Sequence, residues 1–400
     1  MKRIIICCDG TWNEPGTVDK GEAVRTNVQK IYESVAQHDD SGIAQLKYYI
    51  SGVGTSGWLV NKIMGGATGE GIDNNIKEAY KFLIGNYEKG DEIYLFGFSR
   101  GAYTARSLAG LVRNSGVLKP EYFNKVDEAY KLYRSKSKKK DPDSEDAVFF
   151  KNNFCIEEPF IKFIGIWDTV GALGVPLYLF KWFNRKLEFH DVTLSSKVLF
   201  AYHALAIDER RKAFAPTLWE QSKTVANDPS HPQKLEQVWF PGVHSNVGGG
   251  YKESGLSDIT LKWMIEKAKG ATLSFNEQYI ENQLFKGDYK VRNSITGIYH
   301  MMRKKIRDIN RNRARGAVTN EYIHYSCFEY AHKYDYTYKP KNVTTNVIRK
   351  TLFCPLLTEW NSEWMAYLKP EDLAHFTKQS DQKITNIEEL DTGLMQTRMA

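Results

Sequence analysis

Cysteine is scarce in this 400-residue chain: there are five, at positions 7, 8, 155, 327 and 354. The number is odd, no spacing among them matches a metal site, and Cys7-Cys8 stand together inside an apolar run. A disulfide framework and a cysteine-bound metal are therefore not expected, and a reducing compartment is. No apolar run reaches the roughly 18 residues of a membrane span, so no transmembrane segment is expected. The opening Met1-Lys2-Arg3 and the apolar residues after it look a little like a signal peptide. That apolar stretch is short and runs straight into Asp9, so it reads as a first core strand. The chain is expected to be cytoplasmic as synthesised, with any export by a route that needs no signal peptide. Internal repeats and long low-complexity tracts are missing. Gly65-Gly66-Ala67-Thr68-Gly69-Glu70-Gly71 is glycine-rich but lacks G-K-[ST]. Without that lysine for the phosphates it reads as a loop into the next helix, not a nucleotide-binding loop.

What is present suits a large buried core. Apolar residues make up 42% and aromatics 13% of the chain, and the length allows one big α/β domain with insertions or two smaller domains. The net charge of +7 is uneven. Residues 303–315 hold seven Lys/Arg against one Asp, a basic segment that could meet anionic lipid headgroups or nucleic acid. A second cluster, 134–140, is followed at once by acidic residues 141–146 and reads as a solvated loop.

Five segments read as buried strands: 3–8, 47–50, 92–96, 161–167 and 237–240. Each is nearly continuously apolar, as in a parallel sheet covered on both faces. Helical patterns fall between them, at 72–87, 102–112 and 255–269. Strands alternating with helices predict βαβ units and a three-layer α/β sandwich with a mostly parallel central sheet. One domain over 1–400 is expected. Residues 120–158 and 270–345 fit the sheet poorly and read as insertions, forming a cap, lid or surface elements.

Open α/β sheets bind ligands at the carboxyl ends of their strands. The polar motifs fall there. Ser99 lies in Gly97-Phe98-Ser99-Arg100-Gly101, a G-x-S-x-G run between a strand and a helix. The glycines permit a sharp turn that presents a nucleophile. Asp168 follows the fourth strand and His244 the fifth, giving the order Ser…Asp…His of an α/β-hydrolase triad. In that arrangement His244 takes the proton of Ser99, and Asp168 holds the imidazole tautomer. Asp191, Asp208 and Asp258 are rivals for the acid, and Asp258 reads as an N-cap. His324 is the runner-up base. The oxyanion hole is expected from the backbone N–H of Arg100 and the loop Gly10-Thr11. Asp9 reads as shaping that loop.

Four runs carry a family resemblance: Cys8-Asp9-Gly10-Thr11-Trp12-Asn13, the stretch from Gly97 to Arg106, Trp167-Asp168-Thr169-Val170-Gly171-Ala172, and the stretch from Pro241 to Tyr251. Together they resemble the DUF2235 family of α/β-hydrolase-like proteins, which includes type VI secretion lipase effectors of the Tle1 kind. The resemblance covers about residues 3–265. It implies a serine esterase or phospholipase acting on glycerophospholipids, with Ser99 as nucleophile and Asp168 and His244 as its partners. One departure is visible: Asn246 stands where the family usually has Asp.

The expected activity is carboxyl-ester hydrolysis through an acyl-enzyme on Ser99, most simply on lipid esters. No metal or organic cofactor is expected. The partners expected are a lipid or other acyl-ester substrate and the surface of an anionic membrane; nucleic acid is not favoured. One alternative is a non-enzymatic binding protein docking on anionic membrane or nucleic acid through 303–315. A second is a phosphatase of the haloacid dehalogenase type using Asp9, although its usual first acid falls at Cys7.

Overall fold

Every side chain of the strand Arg3–Cys8 (β1) is buried, and strand alternation explains how. Ile4, Ile6 and Cys8 enter one apolar cluster while Ile5 and Cys7 enter the other, on the opposite face of the sheet. A strand covered on both faces has no polar side, which is why the sequence there is an unbroken apolar run. The computed structural model describes residues 1–10, 15–52, 69–135, 141–156, 159–170, 192–296, 300, 303–310, 316–334, 338, 340–342 and 352–353.

Among the described residues seven further strands join the sheet: Gln45–Ile50 (β2), Glu92–Phe98 (β3), Ile161–Trp167 (β4), Val198–Ala206 (β5), Lys234–Phe240 (β6), Glu321–Ile323 (β7) and Leu352–Phe353 (β8). Their spatial order is β2-β1-β3-β4-β5-β6-β7-β8, and every neighbouring pair is parallel. The chain order reverses between β1 and β3. That switch point leaves a crevice at the carboxyl ends of the strands, where open α/β sheets bind ligands.

Helices cover both faces. Asn27–Ser34 (α1) and Gly255–Gly270 (α7) lie on one, joined by a buried ion pair in which Lys30 Nζ meets Asp258 Oδ1 at 2.5 Å. On the other lie Gly69–Asn86 (α2), Arg100–Ser115 (α3), Val126–Arg134 (α4) and Glu145–Phe154 (α5), whose buried residues join one apolar cluster with β1, β3 and β4. A short helix, His244–Gly248 (α6), follows β6.

Several elements differ from the sequence reading. The strand β5 was not expected, yet it sits between β4 and β6 at the middle of the sheet. Its one strongly polar residue, His203, is wholly buried and obscures the apolar run. Helix α2 begins at Gly69, so Gly69-Glu70-Gly71 is helix and not loop; positions 65–68 lie outside the described residues. The helices of segment 120–158 pack on α3, with Ala129 and Phe150 in the same cluster as β1. Segment 270–345 supplies the short strand β7, too brief to leave an apolar signature.

Candidate active site

Ser99 joins β3 to α3 with φ 57° and ψ −118°, a strained conformation that costs a non-glycine residue about 1–3 kcal/mol. The flanking glycines are required by space as well as by flexibility. A Cβ on Gly101 would stand 2.0 Å from the Cys8 carbonyl oxygen, and one on Gly97 would stand 2.6 Å from the Gly101 oxygen. The elbow is thus pressed against the end of β1. It is also tied to β4, since the Ser99 N–H donates to the Trp167 oxygen at 3.1 Å. Arg100 opens α3, so its N–H lies at the positive end of the helix.

Asp168, one residue past β4, is completely buried and also has a positive φ, 40°. Its Oδ2 lies 2.6 Å from His244 Nδ1. Because a carboxylate only accepts, Nδ1 carries the proton, and Nε2 is left as the basic nitrogen. Phe98, the residue before Ser99, packs its ring 4.7 Å from the His244 ring, and Phe214 meets that ring edge-on at 5.0 Å. Phe98 also fills the place a side chain on Gly248 would take, so α6 can lie against the elbow only with glycine there. Burial lowers the His244 pKa below the ordinary 6.5, and the Asp168 carboxylate opposes that shift. The imidazole is therefore neutral, as a proton acceptor must be.

Sequence reading missed three side chains around this pair. Arg307 Nη1 donates to Asp168 Oδ1 at 2.5 Å and Nη2 to Oδ2 at 2.9 Å, a two-pronged grip on a buried carboxylate. Burial would raise the Asp168 pKa, but Arg307 and then His244 overcome it and hold the carboxyl far below its usual range. His203 accepts from the Thr169 N–H at 3.1 Å through Nε2 and faces Gln237 Oε1 through Nδ1 at 3.2 Å. It braces the strained turn that carries Asp168. Glu209 accepts from the His244 N–H at 3.3 Å and from the Arg211 side chain at 2.8 Å. A buried polar residue leaves no signal in a sequence unless its partner is known, and Asp168 lies 139 residues from Arg307 while His244 lies 35 from Glu209.

The remaining sequence candidates fall out as follows. The Gly10 N–H, one of the two donors expected for an oxyanion hole, donates to Asp9 Oδ1 at 2.6 Å within its own loop. Thr11 lies outside the described residues. Asp9 Oδ2 accepts from Thr26 Oγ1 and, at 2.7 Å, from Tyr49 OH. Burial raises its pKa to about 6 despite these bonds. With both oxygens held and 3% exposure, Asp9 braces the loop after β1. His324 is buried beyond β7, stacked on Phe240, with Nδ1 at 2.8 Å from Ser326 Oγ; among the described residues no carboxylate is hydrogen-bonded to its ring. It is not positioned as a triad base. Asp208, just past β5, accepts at 2.7 Å from the N–H of Gly242, two residues before His244. Asp258 lies inside α7, whose N-cap is Ser254, and pairs with Lys30. Asp191 lies outside the described residues.

Asn246 Oδ1 accepts from the backbone N–H groups of Val243 and Arg292, at 3.3 and 3.1 Å, and Nδ2 donates to the Lys290 oxygen at 2.9 Å. The side chain ties the glycine loop to residues 290–292 and touches neither Asp168 nor His244 through hydrogen bonds. The basic segment is divided: Arg303, Lys304, Lys305 and Ile306 are exposed, Arg307 is buried, and 311–315 lie outside the described residues.

A parallel sheet with a serine elbow after β3, and an aspartate and a histidine joined after β4 and β6, defines an α/β-hydrolase-like protein. The chain belongs to the family of type VI secretion phospholipase effectors of the Tle1-like kind, catalytic domain, whose model matches residues 2–267. The uncharacterized protein YEL023C of Saccharomyces cerevisiae is 31% identical over 232 residues, 53% of this chain and 32% of that protein. The chain thus spans about a third of the length of this curated relative. Among solved structures, an uncharacterized protein from Pseudomonas aeruginosa is similar at 18% identity and a TM-score of 0.38, over 69% of this chain and 46% of that one. The Tle1 effector bound to the VgrG spike of the type 6 secretion system is similar at 22% identity and a TM-score of 0.35, over 62% of this chain and 51% of that one. Among the described residues, no helix is long and apolar enough to cross a membrane.

Proposed function

We propose that this protein hydrolyses carboxyl esters of lipids, phospholipids first among them, through an acyl-enzyme on Ser99. The observation that carries the reading is the 2.6 Å contact between His244 Nδ1 and Asp168, at the same sheet edge as the strained elbow of Ser99. In this mechanism His244 Nε2 accepts the hydroxyl proton as Ser99 Oγ bonds to the ester carbonyl carbon. The leaving alcohol then takes that proton from His244. Water, deprotonated by the same nitrogen, releases the acid and restores Ser99. The Arg100 N–H, at the head of α3, is the oxyanion donor from the elbow. Asp168 orients the ring and stabilises the imidazolium. The lipid preference is supported by the family of phospholipase effectors to which the chain belongs. Contact with anionic membrane is part of the same proposal.

The test is a panel of p-nitrophenyl acyl esters and phosphatidylglycerol or phosphatidylethanolamine vesicles, with a fluorophosphonate probe to report the serine directly. Wild type is expected to release fatty acid and to be labelled, with Ser99→Ala doing neither. Full activity in Ser99→Ala would overturn the reading. Absence of labelling in wild type would favour a non-enzymatic binding protein instead.

A further inference from the structure

Arg307 raises a question that the proposed reaction leaves open. An aspartate that only orients a histidine is satisfied by backbone N–H groups, and Asp168 already has one, from Ala206 to Oδ1 at 3.0 Å. Here a guanidinium is added. It is held from behind, because Nη1 also donates to the Ala206 oxygen at 2.7 Å and Nη2 to the Phe214 oxygen at 2.5 Å. Four hydrogen bonds fix the fork in a buried site. The arginine comes from an irregular stretch strapped to the turn after β5: the Lys212 N–H donates to the Arg303 oxygen at 3.1 Å and the Lys305 N–H to the Arg210 oxygen at 2.8 Å. That stretch lies beyond residue 267, outside the part of the chain matched by the family model.

We propose that Arg307 is a positioning residue that sets the basicity of His244 by neutralising Asp168. This rests on the reading of Ser99, Asp168 and His244 as a triad. With Asp168 alone, a full negative charge would face the imidazole and favour its protonated form. With Arg307 on both oxygens, the aspartate–arginine unit has no net charge, and His244 stays neutral and able to accept a proton to lower pH. The fork also leaves Asp168 one orientation, so Oδ2 points at Nδ1 and the ring cannot turn. Other titratable groups around the pair are Glu209, against the His244 backbone, Arg211, paired to Glu209, Asp208, bonded to Gly242, and His203, bonded to Thr169. Glu209 and Arg211 offset one another. Asp208 bonds to Gly242 and Tyr338, and burial pushes the His203 pKa down to about 3, so that ring is neutral. Arg307 is therefore the cation that decides the field at Asp168.

The experiment has an activity-free arm and an activity arm. In the first, the His244 ring protons are followed by NMR against pH in full-length wild type, Arg307→Met and Arg307→Lys. The Met variant is expected to titrate at least about one pH unit higher than wild type, a tenfold gain in proton affinity. The Lys variant keeps the charge and is expected to remain within a few tenths of a unit of wild type. In the second arm, fluorophosphonate labelling rates are measured from pH 4.5 to 9. The acid limb should move up with the NMR midpoint in the Met variant. In the Lys variant labelling should slow about tenfold with the limb in place, because the fork is lost. An unchanged midpoint in a folded Arg307→Met overturns the proposal. If that variant does not fold, Arg307→Lys decides alone: wild-type labelling with a wild-type limb overturns it. Failure of the triad reading shows separately, as absent labelling of wild type, and leaves the NMR comparison valid.

Discussion

The elbow at Ser99 and the pocket at Asp168 are both strained and buried, and they are built in opposite ways. At the elbow the residues that make the turn lie within five positions: Gly97 and Gly101 give the space, clear of the Cys8 oxygen of β1, and the helix start follows at once. At the pocket the carboxylate is gripped by residues 38, 76 and 139 positions away, namely Ala206, His244 and Arg307. A local motif can therefore lose its chemistry without losing its fold. A charge held by distant partners loses both, because each partner left behind is itself a buried charge or an unpaired donor.

Asp168→Asn should break the comparison most widely. Hydrolysis is expected to fall about 10⁴-fold through the wrong histidine tautomer, and unfolding free energy by about 3–5 kcal/mol because Arg307 is left uncompensated. Ester turnover and urea denaturation measured together check both. Ser99→Ala, by contrast, should lower turnover by about 10³-fold or more while the urea midpoint stays close to wild type. A large loss of stability in Ser99→Ala would mean that the elbow is not the self-contained unit described.

Gly101→Ala tests the elbow's space directly. A methyl 2.0 Å from the Cys8 oxygen must push α3 away from β1, at a cost of about 3 kcal/mol. Thermal unfolding should register the change, and an unchanged midpoint would show that the helix start can shift freely.

Two buried histidines test the long-range side by pH. Burial depresses His203 and His324 to about 3, from an ordinary 6.5. The unfolded chain takes up protons that the folded one refuses, so their contribution is full above about pH 6.5 and is lost as pH falls toward 3. Between pH 6.5 and 5 each should cost about 2 kcal/mol. Denaturant titrations at both values check this, and His324→Gln should halve the loss while leaving turnover within a few-fold of wild type. The same loss between pH 6.5 and 5 in His324→Gln as in wild type would mean that the His324 ring is not held neutral.

The smallest effect is expected from Asn246→Asp. It removes the donor to the Lys290 oxygen and should cost about 1–3 kcal/mol, with turnover little changed. A hundredfold loss of turnover would assign Asn246 to the reaction instead of to the loop.

Much of this architecture was legible in the sequence, and unevenly so. The apolar runs of β1, β3, β4 and β6 announced a buried sheet because both faces of those strands are covered. The polar clusters after them announced its functional edge. Strand β5 escaped because His203 interrupts its pattern, and β7 because three residues leave no periodicity. Gly10 was expected to donate to an oxyanion. Its N–H donates to the Asp9 carboxylate, a contact that no spacing could reveal.

Residue order alone determined the elbow, the parallel sheet and the positions of Asp168 and His244 at strand ends, because each depends on neighbours or on a repeating pattern. Only the tertiary structure decided which histidine meets the aspartate, that Asn246 binds a loop, and that Arg307 turns inward from a basic segment. Those outcomes rest on electrostatics and on hydrogen bonds between residues remote in the chain. Such partners are chosen by proximity after folding, and a buried charge and a solvated one are written with the same letter.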